Sequence, residues 1–139
     1  MKMHPLIIEK ERSYRIMQAA YKVHNSLGPG YLESIYENAM AIELRVQGFL
    51  VETQYPVKVW YNSIPVGEHI LDMVVDGRII LELKAVHVIA PSHKKQALSY
   101  ARATNLPLAI VSNFGEASLE YVRIVNTMMP GTKEQINEI

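Results

Sequence analysis

The stretch ILDMVVDGRIILELKAV, Ile70 to Val86, decides how this chain folds. Two apolar runs flank Asp76-Gly77, a dipeptide that favours the positive-φ positions of a tight hairpin turn. The stretch is therefore expected to form two antiparallel strands. Yet it carries Asp72, Glu82 and Lys84, and strand interiors seldom keep charges because desolvating them is costly. Either these three side chains reach water or they hold something.

Parity sorts them. On the second strand Ile79, Leu81, Leu83 and Ala85 point one way and form a core face, while Ile80, Glu82, Lys84 and Val86 point the other. The side taken by Asp72 depends on the turn. A two-residue loop pairs Val75 with Arg78 and Asp72 with Leu81, which turns Asp72 away from Glu82. A three-residue loop, Val75-Asp76-Gly77, pairs Val74 with Arg78 and Asp72 with Ile80. Asp72 then shares the Glu82 face, one diagonal step away, about 7–8 Å between backbones. We expect the three-residue loop, because two carboxylates converging on a partly enclosed site repel unless a cation lies between them. Hard oxygen donors suit Mg²⁺ or Mn²⁺. A neighbouring lysine can stabilise a developing anion or position a water. The plain alternative is a solvated Glu82–Lys84 ion pair worth at most about 1 kcal/mol.

Upstream, two helices are predicted. The first runs from about Ile7 to Ser26, with Ile16, Ala20, Val23 and Leu27 at helical spacing. Gly28, Pro29 and Gly30 break it. The second runs from about Leu32 to Gln47, with Leu32, Ile35, Tyr36, Ala39 and Met40 as its apolar stripe and Gly48 as its stop. VETQYPVKVWY then alternates around Val57, Val59 and Tyr61 as the strand before the hairpin. Downstream, a third helix is expected from about Ser92 to Thr104, with Ser92 as N-cap. Strands follow at Leu108–Ser112 and Leu119–Val125, the first added across the helix. The tail beyond Pro130 is expected to be poorly ordered. The fold class is α/β, an α+β mixed sheet covered by helices, in one domain over 1–139.

Glu33 opens the second helix. It can complement the helix dipole, worth roughly 0.3–1 kcal/mol, or deliver a third carboxylate to the hairpin acids. Tyr36 is core or site wall, and Glu37 is expected to be solvated. On the third helix His93, Gln96 and Tyr100 share a face, and Lys94, Lys95 and Arg102 add local positive charge. Solvated helix surface is the ordinary role of such lysines.

Composition limits the function. The 139 residues hold 14 basic and 14 acidic side chains and no cysteine. Zero net charge counts against a protein that only coats nucleic acid. Without cysteine there is no disulfide, thiolate metal site or cysteine nucleophile, which fits a reducing compartment. No apolar run approaches a membrane span, and the N-terminus is charged where a signal peptide needs an apolar core. The expectation is a cytoplasmic protein with no membrane partner. His4, His24, His69, His87 and His93 lack zincin spacing, and Gly28-Pro29-Gly30 lacks the Gly-Lys-Ser/Thr of a phosphate loop.

Taken together, Gly30-x-x-Glu33-x-x-Tyr36, Asp72, ILELKAV, HKKQALSYARAT and SNFG at Ser112–Gly115 resemble the GxxExxY proteins, a group within the PD-(D/E)XK nuclease superfamily. The likeness covers roughly Tyr14 to Val125. It implies a core of helix, three-stranded meander, helix and strand, here with an extra N-terminal helix. It implies Asp72, Glu82 and the Leu83 carbonyl as ligands of Mg²⁺ or Mn²⁺, with Glu33 as an extra acid. Lys84 would be the catalytic lysine, and Gln96 and Tyr100 would bind phosphate or steady that lysine; by their charge, Lys94 and Lys95 are expected to bind substrate beside them. Asp72 follows Leu71 where the superfamily pattern has proline. The expected function is a Mg²⁺-dependent nuclease acting on DNA, with RNA as a second substrate class. The rival expectation is a non-catalytic module of the same fold that binds nucleic acid or a protein. Symmetry makes a homodimer the expected way to span a duplex.

Overall fold

The computed structural model describes residues 7–128; the tail beyond Pro130 lies outside them. Helix α1, Lys10–Leu27, buries Ile16, Ala20 and Val23 as its spacing predicts. Gly28 ends it with φ 71°, and its N–H returns to His24 O at 2.8 Å. A positive φ at that position favours glycine. Helix α2, Glu33–Val46, buries Tyr36, Met40, Ala41 and Leu44. Leu32 and Ile35, expected on its stripe, are exposed. The buried face is instead set by Tyr36, whose hydroxyl donates to Gly28 O (2.6 Å) and accepts the Tyr31 N–H (3.2 Å). Those bonds tie the helix to the Gly-Pro-Gly turn, so Tyr36 is core and not a site wall.

The sheet is mixed, as expected. Its strands are β1 Val51–Tyr61, β2 Ile64–Val75, β3 Ile79–Lys84, β4 Leu108–Asn113 and β5 Glu120–Val125, in spatial order β1-β2-β3-β4-β5. The first three form an antiparallel meander. Helix α3, Pro91–Thr104, then crosses over to bring β4 in parallel to β3, and β5 returns antiparallel. A parallel partner requires such a crossover. Pro91 opens α3 after Ala90, so Ser92 is not the N-cap. Proline suits the first helical position because that N–H has no intrahelical acceptor. The His93 ring takes up the cap instead, with Nδ1 accepting the Ala90 N–H at 3.0 Å.

Two apolar clusters sandwich the sheet. Ile79, Leu81 and Leu83 pack with α1 and α2, as the parity of β3 predicts. Ile80 packs on the other side with Ala97 and Ala101 of α3 and with Ala109 and Val111 of β4. Among the described residues no helix is long and apolar enough to cross a membrane.

Candidate active site

The hairpin turn corrects the expected register while keeping its parity. Met73 pairs with Leu81, Val74 with Ile80 and Val75 with Ile79. The loop is thus Asp76-Gly77-Arg78, not Val75-Asp76-Gly77. Asp76 and Gly77 both take positive φ (54° and 62°), and the Arg78 N–H closes the turn on Val75 O at 3.0 Å. Arg78 is the extra residue, a bulge after the tight turn. The register is offset from the expected one by two residues on β3, so Asp72 comes level with Glu82 rather than with Ile80, and the regular ladder stops just short of it. Asp72 Oδ2 accepts the Leu83 N–H at 2.7 Å, taking a backbone donor at the point where the regular ladder stops.

The rung at Asp72 is irregular on its other side too. Thr53 pairs with Met73 and Tyr55 with Leu71, while Gln54, between them, has φ 50° and no ladder partner. Across this rung β2 changes its inward side: Met73 lies in the cluster under α1 and α2, Leu71 in the cluster under α3. A strand of strict alternation would keep both on one side.

Glu82 is 7% exposed, and its Oε1 has no hydrogen-bond partner. Burial first, then a hydrogen bond with the Asp72 carboxyl and that group's charge, push its pKa up to about 9, with the Lys84 charge pulling the other way. Lys84, the last residue of β3, is half-buried, and among the described residues its ammonium makes no hydrogen bond or salt bridge. Its charge is therefore available to the two carboxyls or to an anion beside them.

Helix α2 supplies more acid than expected. Glu33 is its first residue and is half-buried. Glu37, expected to be solvated, is half-buried as well. Its pKa is raised to about 7 by burial, then by Asp72 and Glu33, against a hydrogen bond from Gln54 Nε2 at 3.0 Å. Glu37 thus feels both Asp72 and Glu33. The signal for Glu37 was present: two acids at i and i+4 share a helix face and repel unless something positive lies near.

From α3, Tyr100 reaches the same place. Burial raises its hydroxyl pKa, and so do the charges of Glu82 and Asp72. Its ring meets His69 of β2 edge-on, centroids 4.9 Å apart. Gln96, one turn earlier, is exposed, as are Lys94 and Lys95. His93 is occupied by its helix cap. Asp72 is the link: it acts on Glu37, which also feels Glu33, and on Glu82 and Tyr100, while Lys84 acts on Glu82; Gln96, Lys94 and Lys95 stay on the adjoining helix surface.

Among the described residues no three acidic or imidazole side chains are drawn close enough to hold a metal ion. The donors still fit a divalent cation in kind. A buried carboxyl set against a second carboxylate is an arrangement that a hard cation stabilises and a proton otherwise fills. The third donor in such a set can be the Leu83 carbonyl, which is not a side chain.

No curated protein and no solved structure matches this chain significantly. The family profile of the PD-(D/E)XK nuclease superfamily matches residues 10–125. The match is at the level of the superfamily and does not single out the GxxExxY group. The mixed sheet, the crossover helix and the acids at the β2–β3 rung agree with it, and the chain belongs to the PD-(D/E)XK nuclease superfamily.

Proposed function

We propose that this chain is a Mg²⁺- or Mn²⁺-dependent nuclease that hydrolyses phosphodiester bonds of DNA, with RNA as a second substrate class. Asp72, Glu82 and the Leu83 carbonyl would hold the ion, with Glu33 as a further acid. When bound, such an ion supplies a water of lowered pKa and polarises a phosphoryl oxygen. The rest falls to the chain. Lys84 lies beside the Glu82 carboxyl and stabilises negative charge that develops on the phosphoryl group. Tyr100 and Gln96 orient the phosphate, and Lys94 and Lys95 attract the backbone that leads to it. Glu37 adds an acid near neutrality at the rim and can take up a proton there.

The observation that carries this reading is the Glu82 carboxyl: buried, hydrogen-bonded to the Asp72 carboxyl and acted on by the Lys84 charge. An inert surface ion pair would stand in water rather than press one carboxyl against another in a buried place. The test is cleavage of single-stranded, duplex and branched substrates by purified protein with Mg²⁺ or Mn²⁺. Cleavage should be lost in Asp72→Ala and Lys84→Ala; wild-type cleavage no greater than theirs refutes the proposal.

The second reading, a non-catalytic module of the same fold, draws on the zero net charge. It is distinguished by heat. A native state that binds Mn²⁺ must melt higher in its presence, whereas a scaffold that does not bind the ion keeps its melting temperature.

A further inference from the structure

Ser112-Asn113-Phe114-Gly115, at the end of β4, has no part in the chemistry above. Asn113 is 1% exposed. Its side-chain amide uses its whole hydrogen-bonding capacity, two acceptor sites and two donors. Oδ1 accepts the Val86 N–H at 2.9 Å and the Gly115 N–H at 3.1 Å. Nδ2 donates to Val86 O at 2.9 Å and to Glu120 Oε1 at 3.2 Å. The same Glu120 oxygen accepts the Ile89 N–H at 3.0 Å.

These bonds fall on an irregular segment. Residues 85–90 join β3 to α3 and form neither helix nor strand. Asn113 pairs with both backbone groups of Val86, as a neighbouring strand would, and so extends the β3–β4 pairing past its last rung, Lys84 with Asn113. The Phe114 N–H donates to Lys84 O at 2.8 Å. Gly115 lies flat against the same residue. A Cβ there would sit 2.3 Å from Val86 O and 2.5 Å from Val86 N. No side chain fits without moving that backbone.

We propose that Asn113, Gly115 and Glu120 are positioning residues, a clamp that fixes the exit of β3 and so holds Lys84 and the Leu83 carbonyl against the acids. The inference rests on the reading of Lys84 as a site residue. A lysine side chain is long and flexible, so the placing of its ammonium depends on a fixed root. Only an amide at position 113 can serve the N–H and the C=O of Val86 together and still reach two further partners. A carboxylate lacks the donors, and a hydroxyl lacks the reach.

The test uses the full chain with Gly115→Ala and, as a milder variant, Asn113→Ser. Amide exchange should accelerate at Val86 and Ile89 while Ile80 and Ile110 stay protected. The side-chain NMR signal of Lys84, observed at one fixed pH, should shift or broaden. In the cleavage assay kcat should fall about 10–100-fold with KM within about twofold, the signature of a displaced group in the transition state. An unchanged Lys84 signal in both variants overturns the clamp, and so does protection lost everywhere at once in both. Should the wild-type protein cleave nothing, the nuclease reading fails on its own, and the exchange rates and Lys84 signal still decide the clamp.

Discussion

On the side of the sheet under α1 and α2, β3 presents Ile79, Leu81 and Leu83, each fully buried among Ile16, Tyr36, Met40 and Leu44. On the side under α3 the same strand presents Ile80, then Glu82, then Lys84. The helices differ to match. The first two bury large apolar side chains, while α3 buries only Ala97 and Ala101. One face is filled for stability. The other carries a small apolar cluster and then opens onto acids, a lysine and a tyrosine. One six-residue strand thus serves both purposes, because successive side chains leave a strand on opposite sides.

That contrast can be broken most forcefully from the dry side. Leu81→Ala should lower stability by about 2–5 kcal/mol, the usual range for emptying a buried leucine site. Urea denaturation measures it, and cleavage per folded molecule should persist. The converse change, Lys84→Ala, should cost about 10²–10³-fold in cleavage, comparable to removal of an oxyanion donor. It should leave the melting temperature nearly unmoved, because the Lys84 ammonium makes no hydrogen bond or ion pair among the described residues. If instead both variants lose stability and activity in parallel, the two faces are not separate in function.

A third experiment sharpens the contrast by pH. The Glu82 pKa is raised from 4.5 to about 9, so between those values the folded state keeps a proton that the unfolded state has released. Without metal, the Glu82 contribution to stability should be fully present below the ordinary carboxylate pKa and be lost as pH rises toward 9. The slope is at most about 1.4 kcal/mol per pH unit for one proton. Glu82→Gln should flatten the profile, and Mn²⁺ should restore stability at the alkaline end of the wild-type one. Stability measured across this pH range in both proteins checks the sign. The smallest effect belongs to Tyr36→Phe, which removes the bonds to Gly28 O and Tyr31 N. It should cost about 1 kcal/mol, with cleavage unchanged, as expected of a core residue within a motif that resembles a catalytic signature.

Much of this was legible before the structure. The parity of β3, the Asp-Gly turn and the helix-crossed parallel strand follow from alternation, positive-φ chemistry and chain connectivity. The placing of Asp72 with Glu82 was legible only in parity. Their direct opposition depends on Arg78 lying in the loop, and a one-residue choice of bulge leaves no composition signal. The change of inward side across Asp72 and Gln54 was not legible at all, since it comes from a backbone kink stabilised by neighbours distant in sequence. The burial of Glu37 is not legible in the sequence, because burial of a helix face depends on what packs over it. Leu32 and Ile35 were misplaced for the same reason: hydrophobicity marks candidates for burial, and the tie between Tyr36 and the Gly-Pro-Gly turn picks the face.

By itself, the sequence determined the order of elements, the core face of β3 and the kinds of chemical group available, because these depend on local periodicity and residue identity. Tertiary structure alone decided which carboxyl loses its water, which acids feel one another and what holds the end of β3. Those are matters of dielectric and distance between residues far apart in the chain. Only the packed fold sets them, down to the amide of Asn113 gripping Val86 twenty-seven positions away.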